Sequence, residues 1–272
     1  MSIRHYFILA LLAWVSASCS ESYVVRDGLG KANLPDGSVY EGGFCAGLFN
    51  GNGTLQSRNG TLYVGHFLDG LFNGNGKMTF PDGSIFEGEF KDGLRHGKGM
   101  YKNESQKYTF EGNYVEGKIE GYGIMVFENG DRYEGDFRDG RYNGEGTFVY
   151  SFGDKYVGSF RHGRFNGKGT YTYRNGTKVV SEFKDGLFHG KGSASYNNGD
   201  LYVGDFLDGA LHGYGIYTFR NGDRYEGQFK DNQFHGKGKF FFSDSRETIE
   251  GEWQNGRYLN DPSLNIPLPA RI

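Results

Sequence analysis

One spacing governs this chain. A ring or branched aliphatic residue, followed two positions later by glycine in all but one case, starts a unit at Tyr40, Tyr63, Phe86, Phe110, Tyr133, Tyr156, Val179, Tyr202, Tyr225 and Ile249. The step is 23 residues, as from Tyr40 to Tyr63, and 24 from Phe86 to Phe110 and from Tyr225 to Ile249. A second glycine pair follows inside each unit, from Gly51/Gly53 through Gly144/Gly146 to Gly236/Gly238. Gly28/Gly30 stand one period before the first pair, and Ile249 has no pair after it, so the array opens and closes on half units. A fixed period of this length marks a stack of small units that contact only their neighbours.

The pattern inside the unit is that of strands. Tyr133, Gly135 and Phe137 alternate along one face, and Gly144, Gly146, Phe148 and Tyr150 do the same, with Glu145 and Thr147 on the other face. The 272 residues include 47 Gly, 24 Phe and 20 Tyr but five Pro, a balance foreign to disordered or collagen-like chains. Glycine weakens a strand by about 0.5–1 kcal/mol. A ring lying flat over it offsets that loss, since burying a Phe-sized side chain contributes about 1.5–3 kcal/mol. Asn129-Gly130, Asn175-Gly176 and Asn221-Gly222 separate one unit from the next, and Asp69-Gly70, Asp139-Gly140 and Asp208-Gly209 divide each unit in two. Both residues of such pairs tolerate positive φ, the mark of tight hairpins. The fold expected is all-β: an elongated antiparallel β-hairpin meander, a single-layer array of about ten 23-residue units. Its irregular point is residues 103–109, where the extra residue is expected to make a bulge or kink.

The ends differ from the array. Arg4 and His5 precede an apolar stretch over residues 7–15 and the small residues Ser16, Ala17 and Ser18, the pattern of a secretory signal cleaved after Ala17. The stretch is too short for a helix to span a bilayer of about 30 Å. Ser16-Ala17-Ser18-Cys19 also resembles a bacterial lipobox, without its usual Leu, and makes Cys19 a candidate for lipidation. An uncleaved, membrane-inserted start is the third alternative. The divisions are therefore residues 1–19, signal peptide or lipoprotein signal; 24–258, repeat array; and 259–272, C-terminal tail, whose prolines suit an open sheet edge. The localisation expected is exported, at the cell surface or envelope or secreted; retention of the start would mean a cytoplasmic or membrane-associated protein.

These units resemble the MORN (membrane occupation and recognition nexus) repeat, most closely at Tyr225-Glu-Gly-Gln-Phe-Lys-Asp and Phe234-His-Gly-Lys-Gly. Val179 and Ile249 depart from the pattern by lacking the ring, and Ser181 by replacing the first glycine. The resemblance implies a β-hairpin array that tethers membranes, scaffolds, or packs against a partner helix. In enzymes that carry such repeats, catalysis belongs to a separate domain.

Chemistry finds little footing in the sequence. The segments flanking the repeats are too short for a catalytic fold, so no catalytic residue and no cofactor is assigned. Gly74-Asn-Gly-Lys77 lacks the Ser or Thr of a phosphate loop and sits in a strand. His96, His189, His212 and His235 share one repeat position, but adjacent units are roughly 9–10 Å apart, against about 2 Å for a Zn–N bond. Glu87, Glu111, Glu134, Glu226 and Glu250 recur too regularly for a unique acid–base pair. Lys98, Lys168, Lys191 and Lys237 form a stripe that could meet lipid headgroups. A formal charge of −3 with dispersed Lys and Arg excludes nucleic acid as the expected partner.

The function expected is a non-catalytic protein-binding or scaffolding module. A helix or peptide would lie on the aromatic face, with Tyr133, Phe137, Tyr156 and Phe160 as candidate contacts. The alternatives are a peripheral phospholipid tether or exported lipoprotein, and a targeting subunit of an enzyme complex.

Overall fold

Residues 26–268 are described by the computed structural model. The expected signal over 1–19, the cleavage point at Ala17 and the lipidation candidate Cys19 lie outside the described residues. Contacts divide the chain into two compact units, Met1–Gly121 and Tyr122–Ile272. Among the described residues the regular elements are 22 strands and no helix, the all-β meander the period predicts.

The first unit holds β1 (Gly28–Asn33), β2 (Val39–Cys45), β3 (Leu48–Gln56), β4 (Leu62–Leu68), β5 (Leu71–Thr79), β6 (Ile85–Lys91), β7 (Leu94–Asn103) and β8 (Tyr108–Val115). Each pairs antiparallel with the next. The division falls within β9 (Lys118–Phe127). The second unit continues with β10 (Arg132–Arg138), β11 (Arg141–Val149), β12 (Lys155–Arg161), β13 (Arg164–Thr172), β14 (Lys178–Lys184) and β15 (Leu187–Ser195). It ends with β16 (Leu201–Leu207), β17 (Ala210–Thr218), β18 (Arg224–Lys230), β19 (Gln233–Phe241), β20 (Thr248–Gln254), β21 (Arg257–Tyr258) and β22 (Asp261–Asn265). Here too successive strands pair antiparallel. The tail expected from 259 therefore contributes a last strand. Pro262 lies in it, at the edge, where a residue with no N–H does least harm to a ladder.

Two kinds of turn alternate, and only one is of the kind expected. Within a unit, Asp139 and Gly140 both take positive φ, 50° and 75°, in a two-residue hairpin loop between Arg138 and Arg141. Between units the Asn keeps negative φ. Tyr173 N–H donates to Thr177 O (2.8 Å) and Gly176 N–H to Tyr173 O (2.9 Å), leaving Gly176 alone with positive φ (92°). This is the three-residue loop with a left-handed glycine. Asn175 serves it through its side chain instead, its Oδ1 accepting from Thr177 N–H (2.8 Å).

The irregular segment at 103–109 puts no bulge in the ladder. The β7–β8 register runs unbroken from Gly97↔Tyr114 to Asn103↔Tyr108, and the extra residue lengthens the turn, where Gln106 N–H donates to Asn103 Oδ1 (2.6 Å). Bulges occur inside the repeats instead. Gly135 faces Gly146 and Phe137 faces Tyr142, so Asn143, Gly144 and Glu145 of β11 together oppose Asp136. Gly144 absorbs the excess with φ of 71°.

The bulge corrects the reading of the glycines. Gly144 does not lie bare beneath a ring; it is exposed, and a Cβ there would meet Asp136. The ring covers Gly135 and Gly146. Tyr133 lies so close that a Cβ on Gly146 would stand 2.6 Å from its Oη. The same ring stacks on Tyr142 (3.8 Å, 20°) and meets Phe137 and Phe160 edge-on, each at 5.0 Å. A layer one sheet thick thus makes its own interior from flat rings on bare backbone.

Val179 shows the rule by its exception. With no ring over the pair, Ser181 replaces the first glycine and is buried. Its Oγ donates to His189 O (3.1 Å), the carbonyl position that Tyr202 Oη reaches at His212 O (3.5 Å) and Tyr225 Oη at His235 O (3.4 Å). A serine hydroxyl takes over part of the phenol's place.

Candidate functional site

Tyr133, Phe137, Tyr156 and Phe160, expected as contact residues, are 0, 3, 0 and 3 % exposed. They are interior. Alternation places them on the ring face correctly, but covering glycine takes up the surface a partner would need. Their phenols are also engaged: Tyr133 Oη donates to Asp136 O (2.8 Å) and Tyr156 Oη to Ser159 O (2.9 Å).

What the ring face leaves open is a second row. Tyr150, Tyr173 and Tyr196 directly follow β11, β13 and β15, and Phe219 and Phe242 follow β17 and β19; all five are half-buried. Each occupies the same place, its N–H closing the turn to the next unit. Each of four also leans on the interior: Tyr150 on Phe148 (4.6 Å), Tyr173 on Tyr171 (4.6 Å), Phe219 on Tyr217 and Phe242 on Phe240 (both 4.8 Å). Burial raises the Tyr150 phenol above its ordinary value and pushes that of Tyr173 up to about 12.

Beside this row stands Phe152, 53 % exposed and tilted against Tyr150 at 5.0 Å. It holds the turn position that is Asn129, Asn175, Asn198 and Asn221 in other units, where the side-chain oxygen accepts from the residue two positions on. Phe152 cannot accept, so Asp154 N–H loses that local bond while a large apolar ring is held in water. Asp154 itself is tied to the next unit, accepting from Tyr171 Oη (2.7 Å) and from Arg174 N–H (2.9 Å). Sequence reasoning passed over Phe152, although comparing the turn tetrapeptides would have singled it out.

The opposite face is mixed. Thr147, Val157, Thr170, Val180, Ser193, Val203 and Ile216 face one another across successive strands of the second unit. Val157, Val180 and Val203 are 43, 44 and 60 % exposed. The lysine stripe runs alongside, each opposite a partner strand: Lys168 faces Glu182, Lys191 faces Asp205 (2.8 Å) and Lys237 faces Glu252, while Lys98 faces Asn113. Of the four, Lys191 makes an ion pair, with Asp205, while Lys168 and Lys237 stand in register with an acidic residue.

In the first unit Arg95 takes the place of a stacking ring. Its guanidinium lies over Phe86, Tyr101 and Tyr114 at 5.5, 5.3 and 5.2 Å and donates to Gly117 O (3.2 Å). The Tyr114 hydroxyl beneath is buried without a partner, and desolvation raises its pKa.

The histidines stay apart as metal ligands. His189 and His212 lie 4.0 Å from Asp208 and Asp231, and the Nδ1 atoms of His189, His212 and His235 are buried without a hydrogen bond. Among the described residues no three His, Cys, Asp or Glu side chains converge on a metal position. Cys45 is a free, exposed thiol.

Solved structures offer partial likenesses. The chain resembles the TCP10 domain of CPAP from Danio rerio, solved with a peptide of STIL, at 14 % identity over 83 % of this chain and 100 % of that one, TM-score 0.41. The TCP10c domain of Sas-4 from Drosophila melanogaster matches at 17 % identity over 75 % of this chain and 100 % of that one, TM-score 0.32. No curated protein matches in sequence. The MORN repeat model matches nine times, at residues 40–62, 63–85, 86–105, 110–132, 133–155, 156–178, 180–201, 202–224 and 225–245. The glycine-covering ring, the bulge glycine and the two turns recur through these segments, and the chain belongs to the MORN-repeat family.

Proposed function

We propose that this protein is a non-catalytic binding module that takes a protein partner along the open ring row of its second unit. The observation that carries the reading is Phe152. Its unit gives up a turn-capping hydrogen bond, a contribution of about 0.5–1.5 kcal/mol, to hold an exposed ring beside a row of half-buried ones. Such a substitution lowers local stability and is accounted for by a contact made outside the chain. Repetition supports the same reading, since identical groups at fixed intervals suit an extended partner better than a small substrate.

The test is a photo-crosslinking residue at 152 in the full-length protein, with position 129 as the control. The expected result is a discrete protein adduct from 152 that Phe152→Asn abolishes when the probe is moved to 174. Identical adduct patterns from 152 and 129 would refute it. Membrane association has weaker support, because Lys168, Lys191 and Lys237 each stand in register with an acidic residue of the neighbouring strand. Export through residues 1–19 belongs to the proposal, and intact mass with N-terminal sequencing of the native protein tests it.

A further inference from the structure

The hydroxyls of the second unit divide into two groups. Tyr133, Tyr156, Tyr202 and Tyr225 donate to carbonyls of their own units, and Tyr171 and Tyr217 to Asp154 and Asp200. Tyr150, Tyr173 and Tyr196 have no such acceptor, and none of the three oxygens is sealed from solvent as that of Tyr114 is. They are free donors on one side of the sheet, one per repeat.

Their interval is set by the fold. Successive members are two strands apart, and strands lie 4.7–4.9 Å apart, so the donors repeat at about 9.6 Å. A polyproline II helix advances 3.1 Å per residue with three residues per turn, so its equivalent carbonyls repeat at about 9.3 Å, and none is used internally. Across the three tyrosines the mismatch accumulates to about 0.6 Å, within the latitude of a hydrogen bond. A fully extended strand, at about 6.6–6.8 Å per two residues, and an α-helix, at 5.4 Å per turn, both miss the interval.

Charge adds a second constraint. Arg174 and Arg220 occupy the same repeat position, one residue beyond the row, and both are exposed. Their backbone N–H groups go to Asp154 and Asp200, while their guanidinium groups make no ion pair among the described residues. They are two repeats apart, about 19 Å, which is two turns of polyproline II, also about 19 Å.

We infer that the ring row of the second unit binds a proline-rich segment in the polyproline II conformation, with acidic residues two turns apart. The phenols of Tyr150, Tyr173 and Tyr196 donate to every third carbonyl. Prolines pack between the rings and against Phe152, and the acidic side chains meet Arg174 and Arg220. This rests on the reading of the row as a protein-binding surface and names its partner class.

The probe is a synthetic polyproline peptide with glutamates two turns apart, titrated into the full-length protein by calorimetry. A peptide of the same charges and length with Gly and Ser replacing Pro is the comparison. The proline peptide should bind at least about tenfold more tightly, since it enters already ordered. Tyr173→Phe and Tyr196→Phe keep the ring and leave melting unchanged, and each should weaken binding about fivefold, the worth of one hydrogen bond. Arg174→Gln should weaken the glutamate peptide and not an uncharged proline peptide. Equal affinity for the two backbones, or a Tyr150→Phe/Tyr173→Phe/Tyr196→Phe variant that binds as the parent does, would overturn the inference. If those results come with a discrete adduct from position 152, the partner class is wrong and the binding surface stands. If the adduct is also missing, both fall.

Discussion

The ring-over-glycine contact makes a quantitative demand on Gly146. A methyl group there would stand 2.6–2.8 Å from Tyr133 Oη, Cε2 and Cζ, closer than carbon atoms approach. The ring has nowhere to go: it is fully buried, stacked on Tyr142 and wedged by Phe137 and Phe160. Gly146→Ala must therefore lift the ring. Lifting it forfeits part of about 1.5–3 kcal/mol of burial and about 1 kcal/mol of hydrogen bond to Asp136 O. The expected loss is about 2–4 kcal/mol, read as a lowered urea midpoint. Because each unit contacts only its neighbours, hydrogen exchange should quicken in β10, β11 and β12 and little elsewhere. A cycle with Tyr133→Val isolates the cause. Without the ring the alanine has room, so its cost should fall below about 0.5 kcal/mol and the coupling should be about 1.5–4 kcal/mol. Additive effects would show that Gly146 is needed for backbone reasons and would refute an interior built from rings on glycine.

Three further outcomes follow from the same contacts. Val179→Tyr alone should destabilise, because the ring meets the buried Ser181, while Val179→Tyr with Ser181→Gly should exceed the parent by about 1–2 kcal/mol in urea melts; equal stability of the two variants would contradict this. Phe152→Asn should restore the turn bond to Asp154 N–H and leave stability equal or up to about 1 kcal/mol higher, so a clear loss in thermal melting would mean that the ring is structural. Alkaline pH should unfold the array. Burial pushes Tyr63 up to about 12 and raises Tyr133, Tyr156 and Tyr225 as well, from an ordinary 10.0. The folded chain keeps protons that the unfolded chain releases, so this stability is full below pH 10 and falls as pH rises from there through the folded values. A urea midpoint that stays level across that window would count against buried phenols.

Much of the fold is legible in the sequence, and what escapes it is instructive. The period locates every unit, and Asp-Gly locates half of the two-residue hairpins. Alternation treats Gly144 and Gly146 as equivalent because both fall on the same parity. The bulge can be found by counting outward from Asp139-Gly140. Tyr133 and Phe137 are four residues apart, whereas their partners Phe148 and Tyr142 are six apart, so two residues of β11 must go unpaired. Asn-Gly misleads for a related reason. The dipeptide fits two loop lengths, and only the register tells whether Asn contributes its φ or its side chain. Exposure is the hardest to read, since composition gives no sign that a ring's lower face is already occupied by glycine.

A repeat array offers a comparison inside a single chain, because its units fill nearly the same structural role. Positions where the units agree are therefore explained by that role, as are the covering ring, the glycine pair and the bulge glycine. Where they differ, the difference either comes with a compensating change or it does not. Val179 is compensated by Ser181, and the hydrogen bond to His189 O shows how. Arg95, in a column of stacking rings, is compensated by three aromatic faces around its guanidinium. Phe152 has no such compensation: its unit lacks the turn bond, and the ring stays half in water against Tyr150. The same test separates the tyrosines. A phenol that only covered glycine would be expected to end on a carbonyl, as Tyr133 and Tyr156 do. The phenols of Tyr150, Tyr173 and Tyr196 serve nothing within the fold, and phenylalanine fills that position in the next two units without cost to the turn. Groups that the structure does not need, held at a constant interval next to an uncompensated substitution, are where a partner is to be sought.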